Sequence, residues 1–144
     1  MVTADDIRQV ALSLPRTTEH LIRDRVKFRV GQLVYCSLSP DETAMGFGFP
    51  KEEREALIAS APEKFFMPIK SDERYHWVRV WLAALDKEEM RELVTDAWRM
   101  CVPKRVAAEY FATLGAADLT RRRAAAARGS TPAARRRPAR PDPR

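Results

Sequence analysis

The stretch Tyr75-His76-Trp77-Val78-Arg79-Val80-Trp81-Leu82 alternates strictly, the pattern of a β-strand with two unlike faces. Val78, Val80 and Leu82 make one face, and branched apolar side chains belong against a core. Tyr75, Trp77, Arg79 and Trp81 make the other. Two indoles, a phenol and a guanidinium are unusual on a plainly solvated face, so this one meets either another part of the chain or a partner. A strand of this kind demands a sheet that is covered on one side and chemically different on the other.

The remaining elements can be placed around it. Thr3 and Asp6 have the spacing of a capping box, and Ile7, Val10, Ala11 and Leu14 then repeat at helical spacing until Pro15 stops the helix. Thr17 to Asp24 reads as a polar linker containing His20. Val26, Phe28 and Val30 alternate with Lys27 and Arg29, and Gly31-Gln32 is placed for a type II′ hairpin turn. Leu33 to Leu38 returns with Val34, Cys36 and Leu38 inward and Tyr35 outward. After the turn cluster Ser39-Pro40-Asp41-Glu42, a third strand runs from Ala44 to Phe49. Met45, Phe47 and Phe49 share its bulky face, while Ala44, Gly46 and Gly48 leave the other almost bare backbone.

Pro50 opens a second helix, with Glu52, Glu53 and Glu55 in its N-terminal turns and Leu57 and Ile58 as its buried stripe. Phe65 to Ile69 begins a strand that Pro68 interrupts, and residues 71–74 form a turn before the alternating strand, which extends to Leu85. Asp86 and Glu89 have the spacing of another capping box. Met90, Leu93, Val94, Ala97, Trp98 and Cys101 follow it at a 3.6-residue period, the clearest helix in the chain. Pro103-Lys104-Arg105 breaks that helix, and Val106, Tyr110, Phe111 and Leu114 predict a short last one stopped by Gly115. This order predicts an α+β fold of two layers, one antiparallel sheet with helices packed on one face.

Charge divides the chain sharply. Residues 1–120 hold 17 Lys+Arg against 19 Asp+Glu, a net −2, whereas residues 121–144 hold nine Arg and one Asp, a net +8. The overall charge of +6 therefore describes the tail and not the folded part. Residues 1–118 are expected to form the domain. Residues 119–144, rich in Arg, Ala and Pro, cannot bury a core and are expected to be a disordered basic tail, its alanines able to continue the last helix transiently. No apolar run approaches the ~20 residues of a membrane span. Residues 1–6 hold neither the basic nor the apolar region of a signal peptide. Cys36 and Cys101 lie far apart in apolar surroundings and read as reduced core residues. A cytoplasmic protein with no membrane association is expected.

Several pieces together resemble the MmcQ/YjbR-like proteins. They are Ala11-Leu12-Ser13-Leu14-Pro15, Lys27-Phe28-Arg29-Val30, Phe65-Phe66, Tyr75-His76-Trp77-Val78-Arg79-Val80, and Asp96-Ala97-Trp98-Arg99 leading to Val102-Pro103-Lys104-Arg105. The resemblance covers roughly residues 3–110 and leaves out the tail. It implies a compact α+β domain comparable with frataxin-like and secretion-chaperone-like folds. It also implies a DNA-binding role of the "double wing" type, and it brings no catalytic motif.

The residues themselves point to a candidate surface. An outward sheet face would carry Lys27 and Arg29, Tyr35, the glycine backbone of Gly46 and Gly48, and then Tyr75, Trp77, Arg79 and Trp81. Cations neutralise phosphates, rings stack on exposed bases, and bare backbone admits a strand closely. The alternative is structural: Tyr75 and Trp81 lie under a loop or helix, and Lys27 and Arg29 solvate the sheet. Lys104 and Arg105 either contact phosphate or satisfy carbonyls at a helix end. Arg121, Arg122, Arg123, Arg135, Arg136 and Arg137 offer sequence-blind affinity for polyanions. An interaction module, using the same aromatic face for a peptide or a second copy, is the competing reading.

Little in the sequence points to catalysis. His20 and His76 are the only histidines, and His76 is expected to be structural. Cysteines and histidines lack zinc spacing, Gly46-Phe47-Gly48 lacks the third glycine of a dinucleotide fingerprint, and no Walker A pattern occurs. Glu52, Glu53 and Glu55, intermixed with Lys51 and Arg54, read as a solvated helix turn. No catalytic residue, metal or cofactor is therefore expected.

Overall fold

The structure, a computed structural model, describes residues 1–127. Its helices are α1 (Ala4–Ser13), α2 (Lys51–Ser60), α3 (Lys87–Arg99) and α4 (Lys104–Ala127), and its strands are β1 (Thr17–Ile22), β2 (Arg25–Val30), β3 (Leu33–Leu38), β4 (Ala44–Gly48), β5 (Phe65–Phe66) and β6 (Trp77–Trp81). The six strands form one sheet in the order β1-β2-β3-β4-β6-β5, with every pairing antiparallel. Helices α1 and α3 pack on each other, α1 against β1 and α3 against β3 and β4, while α2 lies by β5 and β6. The fold is the α+β arrangement that the element order predicts. The backbone divides into two units, the first Met1–Ala107 and the second beginning at Ala108.

The first unit contains the sheet and its core. Phe28, Cys36, Met45, Phe47, Val78 and Val80 are fully buried from the sheet side, and Ile7, Ala11, Met90, Val94, Ala97 and Trp98 meet them from the helices. Burial of that apolar surface is the main favourable term in folding. Trp98 also donates its indole N–H to the Pro15 carbonyl at 2.8 Å, tying α3 to the end of α1. The Thr3–Asp6 capping box at α1 is complete in both directions.

Several expectations are corrected. Thr17 to Asp24 is not a linker: β1 pairs with β2 along its whole length, from Thr17–Val30 to Ile22–Arg25. Arg23 and Asp24 join the two strands, both at positive φ (53° and 64°), as a type I′ turn requires. Neither is glycine or asparagine, so the usual turn signal was missing. The Gly31-Gln32 turn does form, with Gly31 at φ 60°. At α3, Asp86 caps the Glu89 N–H at 2.8 Å, but Glu89 pairs with Lys64 instead of returning to the cap. The alternating strand is shorter than expected, since Tyr75 and His76 precede β6 and residues 82–84 turn into a 3₁₀ turn. In α2 the buried residue is Arg54, whereas Leu57 and Ile58 are half-buried.

Tyr35 points inward, against expectation. Phe28 pairs with Cys36 while Arg29 pairs with Val34, so Tyr35 is the extra residue of a β-bulge. The bulge breaks the two-residue alternation and puts Tyr35 and Cys36 together on the core side. The Tyr35 hydroxyl is 2.8 Å from Thr17 Oγ1 and donates to the Ala11 carbonyl at 3.4 Å. Burial raises the pKa of its phenol.

In the second unit α4 passes through Gly115, the expected stop, and continues to Ala127. The rings of Tyr110 and Phe111 meet edge-on at 5.4 Å. The expected disorder of the tail concerns, from residue 128 onward, positions outside the described residues.

Candidate functional site

The face of the sheet opposite α1 and α3 holds a groove of about 540 Å³. Arg25 and Lys27 enter it from β2, with Arg23 from the β1–β2 turn. Val34, Ser37 and Ser39 line it from β3 and the residue after it, Ala44 and Gly46 from β4, and Trp77 and Arg79 from β6. Ile69, Asp72, Tyr75 and His76, from the connection between β5 and β6, form its remaining wall. Period-two alternation gathers these residues, because Lys27 pairs with Ser37 and Gly46 with Arg79.

Arg23, Arg25, Lys27 and Arg79 take no part in any salt bridge among the described residues. The carboxylates nearest the groove are Asp72 on its wall and Asp41, whose charge reaches Arg79. Asp41 is engaged by Ser39 and Thr43, whose hydrogen bonds lower its pKa. Burial, and then the charge of Arg25, lower the pKa of Arg79, yet a guanidinium stays protonated at any physiological pH. Like charges thus converge on one concavity with little to neutralise them.

Aromatic rings accompany the cations. The Trp77 indole lies across the backbone of Gly46, so closely that a Cβ there would stand 2.5 Å from its Nε1. Glycine is needed at this position for that contact. At the β5 edge, Phe66 stacks on Trp81 at 4.4 Å between centroids, and the Arg79 guanidinium carbon lies 4.8 Å from the Phe66 ring. The Arg74 guanidinium carbon lies 4.9 Å from the Tyr75 ring, and Arg74 donates to its hydroxyl at 3.0 Å.

The wall that carries Tyr75 and Trp77 is held from behind by Arg54. Its guanidinium donates to the carbonyls of Glu73 at 2.9 Å, Tyr75 at 3.2 Å and Trp77 at 3.1 Å. A buried guanidinium is costly unless its donors are met, and three carbonyls meet them here. His76 Nδ1 accepts the Lys51 N–H at 3.0 Å, tying the same segment to the start of α2.

Of the sequence-selected residues, Lys27, Trp77, Arg79 and Tyr75 do come together on the groove. Arg29 lies on the same face but turns to β1, where its Nη2 is 3.1 and 3.3 Å from the two ring nitrogens of His20. Its Nε is buried without a partner. Tyr35 is in the core and leaves the list. Gly48 also leaves the open face, for a Cβ there would meet Ala97 of α3 at 3.6 Å. Lys104 and Arg105 are exposed in the first turn of α4 and do not line the groove. Arg121, Arg122 and Arg123 fall within α4, and Arg135, Arg136 and Arg137 lie outside the described residues.

Sequence reasoning missed Arg23, Arg25 and Arg54. Arg25 was detectable, since it shares the alternation of Lys27 and Arg29. Arg23 depended on recognising the first hairpin, and Arg54 sits among glutamates like any solvated residue. Among the described residues no three His, Cys, Asp or Glu side chains gather as a metal site, and no helix is long and apolar enough to cross a membrane.

Comparison with known proteins agrees with this architecture. Residues 12–100 match the family model described as YjbR. The sequence is 29% identical over 133 residues to uncharacterized proteins of Mycobacterium bovis and Mycobacterium tuberculosis, covering 80% of this chain and all of theirs. A Deinococcus radiodurans protein with a DUF419 domain, known from a crystal structure, superposes with a TM-score of 0.61 at 25% identity. That match covers 69% of this chain and 78% of the other.

Proposed function

The chain belongs to the YjbR family, and from that membership we propose a small, non-enzymatic DNA-binding protein, with a regulatory role, whose binding surface is the open face of the sheet. One observation carries the reading. Residues 1–120 are net −2, yet Arg23, Arg25, Lys27 and Arg79 gather on one groove, none of them in a salt bridge among the described residues and with Asp72 as the one carboxylate in its lining. Cations in excess on one concavity repel each other, and a bound anion relieves that repulsion. A phosphate backbone supplies that anion, and Trp77 and Tyr75 supply faces for bases. The basic tail adds affinity without selecting a sequence.

Fluorescence anisotropy with labelled DNA across a range of salt tests the proposal on the full chain. Binding should weaken linearly on a log–log plot, with a slope of about −0.9 per phosphate contact on duplex DNA. Arg135→Gln, Arg136→Gln and Arg137→Gln together should flatten that slope, and Lys27→Gln should flatten the slope of whichever probe, single-stranded or duplex, the groove holds. A groove variant with no effect on binding at any salt would remove DNA from this face. A protein partner held against Tyr75, Ile69 and Trp81, all exposed, would then be the reading to pursue.

A further inference from the structure

We infer that the groove takes a short single-stranded segment, one or two nucleotides deep, and not the side of a duplex; the inference rests on the DNA-binding reading above. The shape carries it first. A duplex is a convex rod whose base edges are recessed in its own grooves, and proteins read it with protruding helices or ribbons. Here the cations and the ring lie inside a concavity, where a rod cannot follow. The volume of about 540 Å³ falls within the roughly 300–1,000 Å³ of sites that enclose small ligands.

The distribution of chemistry carries it second. Arg25 and Lys27 stand on β2 and Arg79 on β6, three strands away, with Ser37 of β3 and Gly46 of β4 between them. Phosphates can run along the two cationic sides while a base lies between them, over Ser37 and against the Trp77 ring, which itself covers Gly46. A base reaches such a ring only when it has left its partner strand, as in single-strand recognition. A free mononucleotide offers the same chemistry, a base joined to a phosphate, so the test must separate the two.

The test uses the full chain and anisotropy of a labelled twelve-residue single strand and its duplex at equal salt. The single strand should bind at least about tenfold more tightly. Arg79→Gln and Lys27→Gln should each weaken single-strand binding severalfold, lower its salt slope by about 0.7 and leave duplex binding within twofold. Gly46→Ala removes no charge but displaces the indole, and should weaken the single strand alone. A mononucleotide should compete only at far higher concentration than an unlabelled strand; equal competition per nucleotide would overturn the strand and leave a nucleotide site. Equal binding of both probes, weakened equally by the groove variants, would overturn the inference while the DNA-binding reading stood. No dependence of either probe on the groove would overturn both. Circular dichroism of each variant guards against loss of fold, and Lys27→Gln leaves the buried core untouched.

Discussion

On β6, Val78 and Val80 are fully buried, while Trp77 and Arg79, each one peptide bond away, line an open groove. The same opposition runs across the sheet. The covered face is made of Phe28, Cys36, Met45 and Phe47; the open face presents Lys27, Ser37 and Gly46. The charges of the helices contrast with those of the groove. Asp5 and Asp6 stand in the first turn of α1 and Glu88 and Glu89 in that of α3, where the helix dipole favours them. Arginines and a lysine gather on the groove. The near-neutral sum of residues 1–120 thus conceals a local excess of cations on the groove, whereas the helix acids Asp5, Asp6 and Glu89 are met by Arg8, Lys87 and Lys64, and composition alone would have assigned all affinity for polyanions to the tail.

The comparison is sharpest where one residue type occurs on both sides. Trp98→Ala should cost roughly 3–5 kcal/mol in urea unfolding, because it empties a buried site and strips the Pro15 carbonyl of its donor. Trp77→Ala should cost far less, since the indole is half-exposed over glycine. Acrylamide quenching of single-tryptophan variants should separate the two in the same order, and equal quenching would break the contrast between the faces.

Arg54→Met tests whether the groove wall depends on its anchor. Three carbonyls lose their donor, and a loss of about 2–3 kcal/mol is expected, with hydrogen exchange quickening at residues 73–77. Arg54→Lys should recover only part, because an ammonium cannot span three carbonyls with the geometry of a planar fork. Unchanged exchange in that segment would mean that the wall holds itself.

The buried face should also be visible in the response to alkali. Burial pushes the Cys36 thiol from 9.0 up to about 12. Its pKa is raised in the folded state, so its contribution to stability is whole below pH 9 and is lost as pH rises toward the folded value. Stability should fall by up to about 1.4 kcal/mol per pH unit in that window on account of this group. Cys36→Ala should flatten the slope of stability against pH, whatever it does to stability at neutral pH. An unchanged slope would show that the thiol meets solvent.

The smallest effect is expected on the open face. Arg25→Gln should change stability by no more than about 0.5 kcal/mol, and it should favour folding if anything, because it relieves the repulsion that Arg79 feels. A larger loss would show that the cations hold the sheet and that the groove needs no ligand to explain it.

Local patterns were read correctly wherever a side chain's neighbours along the chain settle its environment. The Thr3–Asp6 cap, the Gly31 turn, the apolar stripe of α3 and the alternation of β6 are of this kind. Each rests on backbone geometry that repeats every two or 3.6 residues. The first hairpin escaped because Arg23 and Asp24 adopt left-handed conformations that their residue types seldom announce. Gly115 was read as a stop, yet glycine only weakens a helix and does not forbid it.

The tertiary structure alone settled which residues meet. A single bulge at Tyr35 moved that side chain to the core, because one added residue reverses the face of everything on its side of the ladder. Arg54 became an anchor only because three carbonyls, some twenty residues later, converge on its guanidinium. Arg25 and Arg79 are 54 positions apart in the chain, and their shared groove exists through the pairing of β2, β3, β4 and β6. Alternation is written in the sequence because it is local; register and convergence are decided by the packing of distant segments, and the groove is made of them.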